Sequence, residues 1–247
     1  MYWRIVRING DGSLRLMYIG TGAEATGLNT YAGEATFNIK YNDPKYAGYT
    51  YDNSSPNVQD GTPSDIKNYL DKWYDINMKD EDANIAVGQF FSDTTRYEEN
   101  DAYTIWYDMG VDVSVWTSSL RLGRGVGATS HAEPTLKTSI TKLTYGGIYY
   151  LKTGLISADE LALSGTDGVY VYGYGSADAY PYTINTNEGY WSISPAYFGY
   201  GAVVFNALKI GFVNESNAAF PVINLSAEAA QSLIGNGSSG DPYRLAE

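Results

Sequence analysis

The side chains able to carry acid–base or nucleophilic chemistry are few in this sequence. Among 247 residues there is a single histidine, His131, and no cysteine. Any Ser-His-Asp triad must therefore use His131, while a multi-histidine metal site, a zinc–thiolate site or a cysteine nucleophile is excluded within the chain. Ser130 and Glu133 lie close to His131, but the geometry of a triad is assembled in space from separate segments. We interpret His131 as a surface loop residue and expect no catalytic residue and no enzymatic activity.

Two other patterns suggest ligand chemistry without the context that this chemistry needs. Gly123–Gly127 has the composition of a phosphate-binding loop, but the residues that follow do not predict the helix that such a loop requires. The acidic clusters Asp80–Asp82 and Glu98–Asp101 carry oxygen ligands for Ca²⁺, yet neither has the spaced ladder of an EF-hand. We favour a flexible loop and solvated acidic faces, and we expect no metal site and no cofactor.

The acidic composition limits the classes of partner. The 16 Lys and Arg residues against 28 Asp and Glu residues give a net charge of −12. This argues against a nucleic-acid partner, because binding to phosphates depends on Lys and Arg. No apolar run approaches the roughly 18–20 residues that span a bilayer, so direct membrane insertion is not expected. The 24 Tyr residues far outnumber the 7 Phe residues, and tyrosine suits both exposed contact surfaces and packing within β-sheets.

The clearest local elements are a hairpin and a helix. Tyr2–Ile8 and Leu14–Ile19 are β-branched and aromatic runs, separated by Asn-Gly and Asp-Gly pairs that predict a β-hairpin. Gly20–Asn57 shows weak periodicity and is interpreted as irregular loop. Thr62–Asp65 then supplies helix-capping side chains, with Pro63 expected in the first turn. The apolar residues that follow at helical spacing are Ile66, Tyr69, Leu70, Trp73 and Tyr74, and they predict a helix to about Ile76 that buries its Trp73 face.

The rest of the chain predicts one further helix and a set of short strands. Ser157 and Glu160 have the spacing of a capping box, which favours a helix over Ser157–Leu163. The predicted strands are Ile85–Phe91, Tyr103–Tyr107, Val111–Trp116, Tyr149–Leu151, Val169–Tyr174, Tyr190–Ser194, Val203–Leu208 and Val222–Leu225. Short strands, two main helices and long glycine-rich loops indicate an α+β fold. With no repeat or linker visible, we expect a single domain over residues 1–247.

Several segments occur in an order that matches a known family. They are Tyr2–Ser13, Phe37–Asn38, Tyr41–Asp43, Tyr46–Tyr49, Gly154–Glu160, Tyr190–Pro195 and Phe220–Leu225. This order resembles the C-type lectin-fold variable proteins of diversity-generating retroelements and related bacterial, viral and archaeal surface proteins. The resemblance extends from Tyr2 to Tyr243 and implies a C-type lectin-like fold of short twisted antiparallel strands. Relatives often carry arginine where this chain has Phe220.

In such variable proteins a constant frame displays a C-terminal surface whose residues are rewritten to bind different ligands. The ligand-binding positions that the resemblance implies are Ala196, Tyr197, Gly199, Tyr200, Gly201, Ala207, Lys209, Phe212, Asn214, Glu215, Asn217 and Ala218. Tyr, Ser, Gly and Asn are also the residues that adaptable binding surfaces use. Nine of these positions are expected to be exposed: Tyr197, Gly199, Tyr200, Lys209, Phe212, Asn214, Glu215, Asn217 and Ala218. Trp191, Pro195, Val222 and Leu225 are expected to belong to the frame.

These observations predict a non-enzymatic ligand-binding protein on a virion or cell surface, with an unidentified protein or surface ligand as its partner. The alternative is a structural, pilin-like surface domain without a variable ligand. The implied fold is also used by enzymes of the formylglycine-generating type. The absence of cysteine argues against that chemistry, which needs a redox cysteine pair or a metal site.

Overall fold

The part of the chain described in a computed structural model is a mixed α+β structure of short, mostly antiparallel strands with two α-helices. It comprises residues 1–42, 44–52, 58–92, 147–157, 160, 189–198, 202–206 and 210–246. The predicted strands Tyr103–Tyr107, Val111–Trp116 and Val169–Tyr174 lie outside these residues, as does most of the predicted helix Ser157–Leu163. The α+β class predicted from the sequence is confirmed.

The elements are numbered in chain order. The strands are β1 (Tyr2–Ile8), β2 (Leu14–Gly20), β3 (Glu34–Thr36), β4 (Thr50–Tyr51), β5 (Thr62–Pro63), β6 (Ile85–Ala86), β7 (Gly88–Ser92), β8 (Gly147–Leu151), β9 (Thr153–Gly154), β10 (Trp191–Phe198), β11 (Ala202–Asn206), β12 (Ile210–Phe212), β13 (Ser216–Ala218), β14 (Val222–Leu225), β15 (Leu233–Ile234) and β16 (Arg244–Leu245). The helices are α1 (Asp65–Asn77) and α2 (Ala227–Gln231), and 3₁₀ turns occupy Gly27–Asn29, Pro44–Ala47, Val58–Asp60 and Lys79–Asn84.

The central sheet joins the two ends of the described chain. The predicted hairpin is confirmed as β1 paired with β2, and its turn is closed by hydrogen bonds between Asn9 and Ser13. The predicted strand Val222–Leu225 is also confirmed, and it pairs antiparallel with β2. β6 and β9 pair with successive residues of β14, so that β14 lies inside the sheet. The register of β1 shifts between Tyr2 and Trp3 and again between Ile5 and Arg7.

α1 forms where the sequence predicts it, although its buried face differs from the prediction. Ser64 is the N-cap and accepts a hydrogen bond from Lys67 N at 3.3 Å. Pro63 lies before this cap rather than in the first turn, because Thr62 and Pro63 pair with β4. The buried side chains recur every four residues as Ile66, Leu70 and Tyr74, whereas Trp73 is half-buried. Trp73 packs edge-on against Trp3 and Tyr18 in a second, smaller apolar cluster.

The segment interpreted from the sequence as irregular loop, Gly20–Asn57, supplies a large part of the core. It contains short strands and 3₁₀ turns, but Phe37 and Tyr49 are fully buried. Phe37 packs edge-on against Trp191 at 5.8 Å between ring centroids, and Tyr49 packs against Tyr149 at 5.5 Å. Phe220 is buried against the rings of Tyr31 and Tyr190.

A buried ion cluster joins the hairpin to Glu160. Arg15 is 1% exposed, its Nε lies 2.8 Å from Glu160 Oε1, and its Nη2 donates to Glu160 Oε2 at 3.3 Å. Arg7 Nη1 lies 3.1 Å from the same carboxylate. Arg15 also donates to Gln89 O and stacks 3.8 Å from the centroid of the Phe90 ring. Burial lowers the pKa of Arg15, and the carboxylate of Glu160 opposes that shift.

The predicted capping box of Ser157 and Glu160 is present. Ser157 N donates to Glu160 Oε2 at 2.9 Å, and Glu160 N donates to Ser157 Oγ at 3.2 Å. This reciprocal pair satisfies two backbone donors and fixes the carboxylate that the two arginines share. α2, which was not predicted, begins after another serine cap, since Ser226 Oγ accepts from Ala229 N.

Gly88 lies at a close approach between β7 and β14. A Cβ on Gly88 would overlap the side-chain amide of Asn224, which is buried beneath it. Asn224 Oδ1 in turn accepts from Asn9 Nδ2 at 3.3 Å, linking β14 to the hairpin turn. The absence of a side chain at residue 88 therefore makes room for a buried polar contact.

Candidate functional site

The candidate surface is built on the sheet β10-β11-β12. The register pairs Tyr197 with Val203 and Val203 with Phe212, so these three positions form one row across the sheet. The neighbouring row contains Val204 and Gly211, and Val204 is fully buried. Successive residues of a strand lie on opposite faces of the sheet. Phe212, which follows the buried Gly211, therefore presents its side chain on the face away from the core, in agreement with its 45% exposure.

A rigid frame supports this sheet from the core side. Trp191 is fully buried, and its Nε1 donates to Ala35 O at 2.7 Å. Val222 and Leu225 are also buried, as the frame prediction requires. Pro195 is paired in register with Val204. These buried aromatic and aliphatic side chains fix the backbone of the sheet from its core side.

The turn between β12 and β13 extends the outer surface. Glu215 N donates to Phe212 O at 2.9 Å, which closes a turn over four residues. Asn214 is exposed at this turn and Glu215 is half-buried. The Glu215 carboxylate lies over Gly211, where a Cβ would come within 3.1 Å of Oε2. Phe212, Asn214 and Glu215 are thus brought together at this turn, where Phe212 and Asn214 are exposed and Glu215 is half-buried.

The prediction that Asn217 and Ala218 are exposed is wrong. Both residues are buried, at 8% and 2% exposure. The physical reason is pairing on both sides of β13: Asn217 and Ala218 are in register with β3, and Ala218 also forms a parallel bridge with Tyr190. These two positions lie inside the structure and belong with the frame.

The remaining predicted positions are only partly covered by the structure. Ala196 lies in β10 at a register shift between Pro195 and Tyr197. The other predicted positions lie outside the described residues and are Gly199, Tyr200, Gly201, Ala207 and Lys209. His131, the glycine-rich loop Gly123–Gly127 and the acidic cluster Glu98–Asp101 also lie outside them.

A second segment next to this surface was not predicted from the sequence. Asn38 N donates to Val213 O at 2.9 Å, and the chain then passes through Ile39, Lys40 and Tyr41. Ile39 is 72% exposed and Tyr41 is 48% exposed. The only sequence signal was the group of apolar and aromatic residues in a polar loop. Nothing in the sequence indicated that this loop meets residues about 170 positions later, since such contacts depend on tertiary pairing rather than local pattern.

The charged clusters of the described residues have structural partners. Asp82, in the acidic cluster Asp80–Asp82, accepts a hydrogen bond from Tyr74 Oη at 2.7 Å and lies 3.4 Å from Lys152 Nζ. The hydrogen bond from Tyr74 lowers the pKa of Asp82, and Lys152 adds to the shift. Within the described ranges, no group of three or more His, Cys, Asp or Glu residues is arranged to hold a metal ion. Through these two contacts, Asp82 holds the turn that follows α1 against Tyr74 of the helix and against Lys152.

No helix among the described residues is long and apolar enough to cross a membrane. Comparisons with family models, with curated proteins and with solved structures give no match. The geometry above is therefore the basis on which a function is proposed.

Proposed function

We propose that this chain is a non-enzymatic ligand-binding domain with a C-type lectin-like arrangement, displayed on a virion or cell surface. Its C-terminal sheet presents residues that vary between copies, in the manner of the variable proteins of diversity-generating retroelements. The observation that carries the proposal is the exposed Phe212, held in register with β11 above the fully buried Val204 and Trp191.

The chemistry around Phe212 supports a contact surface. Phe212 is a large apolar side chain with nearly half of its area exposed, and Asn214 adds amide hydrogen-bonding groups beside it. Aromatic side chains concentrate binding energy at interfaces, while short polar residues provide adaptable hydrogen bonds. The backbone under these positions is fixed by strand pairing and by the buried Trp191. A surface that varies on a constant frame needs exposed positions that can change and buried residues that hold the backbone in place.

A combinatorial library tests the proposal. Phe212 and Asn214, which are both exposed, are varied together, and each variant is measured by thermal melting and by panning against purified surface proteins. Exposed positions change stability by about 0.5 kcal/mol or less, so most variants should melt close to the parent while their binding differs. Trp191→Ala is the matched frame control and should lose about 3–5 kcal/mol.

Two results would contradict the proposal. If most library members unfold, Phe212 and Asn214 belong to the core and do not form a display surface. If they melt like the parent and none differs in binding, a structural, pilin-like role is favoured instead. Flanking DNA provides an independent check on diversification, because a template repeat and a reverse transcriptase gene should lie near the coding sequence.

A further inference from the structure

The loop that follows β3 runs beside the proposed contact surface. β3 and β13 are antiparallel, with Thr36 opposite Ser216, and beyond the two strands Asn38 N donates to Val213 O at 2.9 Å. This bond places Asn38 beside Val213, so that Ile39 and Phe212 are each the chain neighbour of a bonded residue. The next 3₁₀ turn, Pro44–Ala47, packs beside β11. The segment from Ile39 to Ala47 therefore borders the sheet that carries Phe212.

This segment adds apolar area to the exposed face. Ile39, Tyr41 and Phe212 are 72%, 48% and 45% exposed. Exposed apolar side chains grouped on one face and rimmed by polar residues mark interaction sites, and the bond from Asn38 N to Val213 O brings the chain at Ile39 close to the chain at Phe212. Asn214 and Lys40 are exposed polar residues beside this group. The loop and the sheet together resemble the centre and rim of an interface.

The loop is held in place before any partner binds. Ile39 N donates to Asp65 Oδ2 at 2.7 Å, and Asp65 is the first residue of α1. Lys40 N donates to Asn38 Oδ1 at 3.3 Å. A loop that is already ordered loses less conformational entropy on binding, which favours affinity.

The charge that this loop offers to a partner is the positive charge of Lys40. Lys40 Nζ lies 5.6 Å from the centroid of the Tyr46 ring, and no described residue forms an ion pair with it. Lys45 Nζ lies 5.1 Å from the centroid of the same ring but is paired with Asp52 Oδ1 at 2.8 Å. Asp65 is already engaged by the loop backbone. A carboxylate from a partner would therefore gain Lys40 as a counter-ion without displacing an existing one.

We propose that Ile39, Lys40 and Tyr41 form the second half of the contact surface, and that the partner is a protein presenting a carboxylate beside an apolar side chain. This inference rests on the proposed function, since it assumes that the face around Phe212 binds a partner. In this arrangement Ile39, Lys40 and Tyr41 are constant between copies, the positions around Phe212 vary, and Lys40 selects a partner that carries a carboxylate.

A phage-displayed library of short random peptides, panned on the purified protein, is the probe. Selected peptides are tested against Phe212→Ser, Tyr41→Ser, Ile39→Ser and Lys40→Gln. The chain offers a matched control for each loop position, since Tyr150 is 50% exposed, Ile76 is 70% exposed and Lys72 is an exposed lysine of α1. The control variants are Tyr150→Ser, Ile76→Ser and Lys72→Gln, and thermal melting establishes that every variant is folded.

The expected result is a set of peptides that need Phe212 and carry Asp or Glu beside an apolar residue. Their binding should fall about tenfold or more in Tyr41→Ser, as for an interface anchor. It should fall about two- to five-fold in Lys40→Gln, with a loss that shrinks at high salt, as for an exposed ion pair. The control variants should bind like the parent.

Each of the other outcomes contradicts one part of the inference or the proposed function. Peptides that need Phe212 but ignore Ile39, Lys40 and Tyr41 would overturn the inference and leave the proposed function in place. Peptides that need Tyr41 but show no acidic preference and no dependence on Lys40 would overturn the carboxylate partner. If no selected peptide depends on Phe212, the proposed function itself fails.

Discussion

Replacing Glu160 by glutamine removes a negative charge while keeping an acceptor for Ser157 N–H. The perturbation is informative because Arg15 is almost completely buried and has Glu160 as its anionic partner. Removing one partner of a buried ion pair leaves an uncompensated charge and costs about 3–5 kcal/mol. Arg7 shares the same carboxylate, but it is 39% exposed and regains water. We therefore expect Glu160→Gln to lower the free energy of unfolding by about 3–5 kcal/mol.

The assay is equilibrium urea unfolding followed by tryptophan fluorescence. Asp71→Asn is the matched control, because Asp71 pairs with Lys67 at 2.6 Å on the surface of α1. Surface pairs of this i,i+4 type contribute about 0.3–0.5 kcal/mol. The double variant Arg15→Met with Glu160→Gln completes a thermodynamic cycle, and its loss should be smaller than the sum of the single losses by at least about 1 kcal/mol.

Two results would refute this reasoning. The first is a loss in Glu160→Gln no larger than the loss in Asp71→Asn, which would mean that water reaches Arg15. The second is simple additivity in the double variant, which would mean that the two side chains do not depend on each other.

Three further predictions follow from other parts of the structure. Trp73→Ala should lower the free energy of unfolding in urea by about 2 kcal/mol. Leu70 is fully buried, so Leu70→Ala should lower it by about 3–4 kcal/mol. The reverse order would contradict the observed helix face. Gly88→Ala should lose about 1–3 kcal/mol because its Cβ overlaps a buried amide, whereas Gly10→Ala, with open space around it, should stay within about 0.5 kcal/mol; equal losses would contradict the close approach. Burial raises the pKa of Tyr149 from 10.0 to about 12, so its stabilising contribution is complete below pH 10 and is lost as the pH rises toward 12. As the pH rises from 10 to 12, Tyr149→Phe should therefore lose less stability than the parent. A tyrosinate absorbance titration in which no tyrosine ionises late would contradict burial as the cause of the raised pKa.

The elements that the sequence predicts well are those determined by neighbouring residues. The β1–β2 turn follows from Asn-Gly and Asp-Gly pairs, and α1 follows from its apolar spacing and the cap at Ser64. The capping box at Ser157 and Glu160 is a local pattern of the same kind. In each case the decisive interactions lie within a few residues of one another.

The features that the sequence did not reveal depend on distant segments. The burial of Asn217 and Ala218 results from pairing with β3 and Tyr190, and no residue near them indicates it. The contact of Arg15 with Glu160 spans 145 positions. The exposure of Phe212 and Asn214 was predicted, whereas the bond that brings the chain at Asn38 beside Val213 was not, because it joins segments 175 positions apart. Tertiary pairing overrides local preference in such segments.

The position of β14 inside the central sheet has a consequence for folding during synthesis. Its strand neighbours β2, β6 and β9 are all made earlier in the chain, and β2 precedes it by about two hundred residues. The hairpin can form as soon as it leaves the ribosome, but one edge of β2 stays unpaired until Val222–Leu225 emerges. Long-range pairing of this kind slows folding and exposes unpaired strand edges to other chains. Nascent chains halted before β14 should therefore recruit chaperones that the completed chain no longer binds.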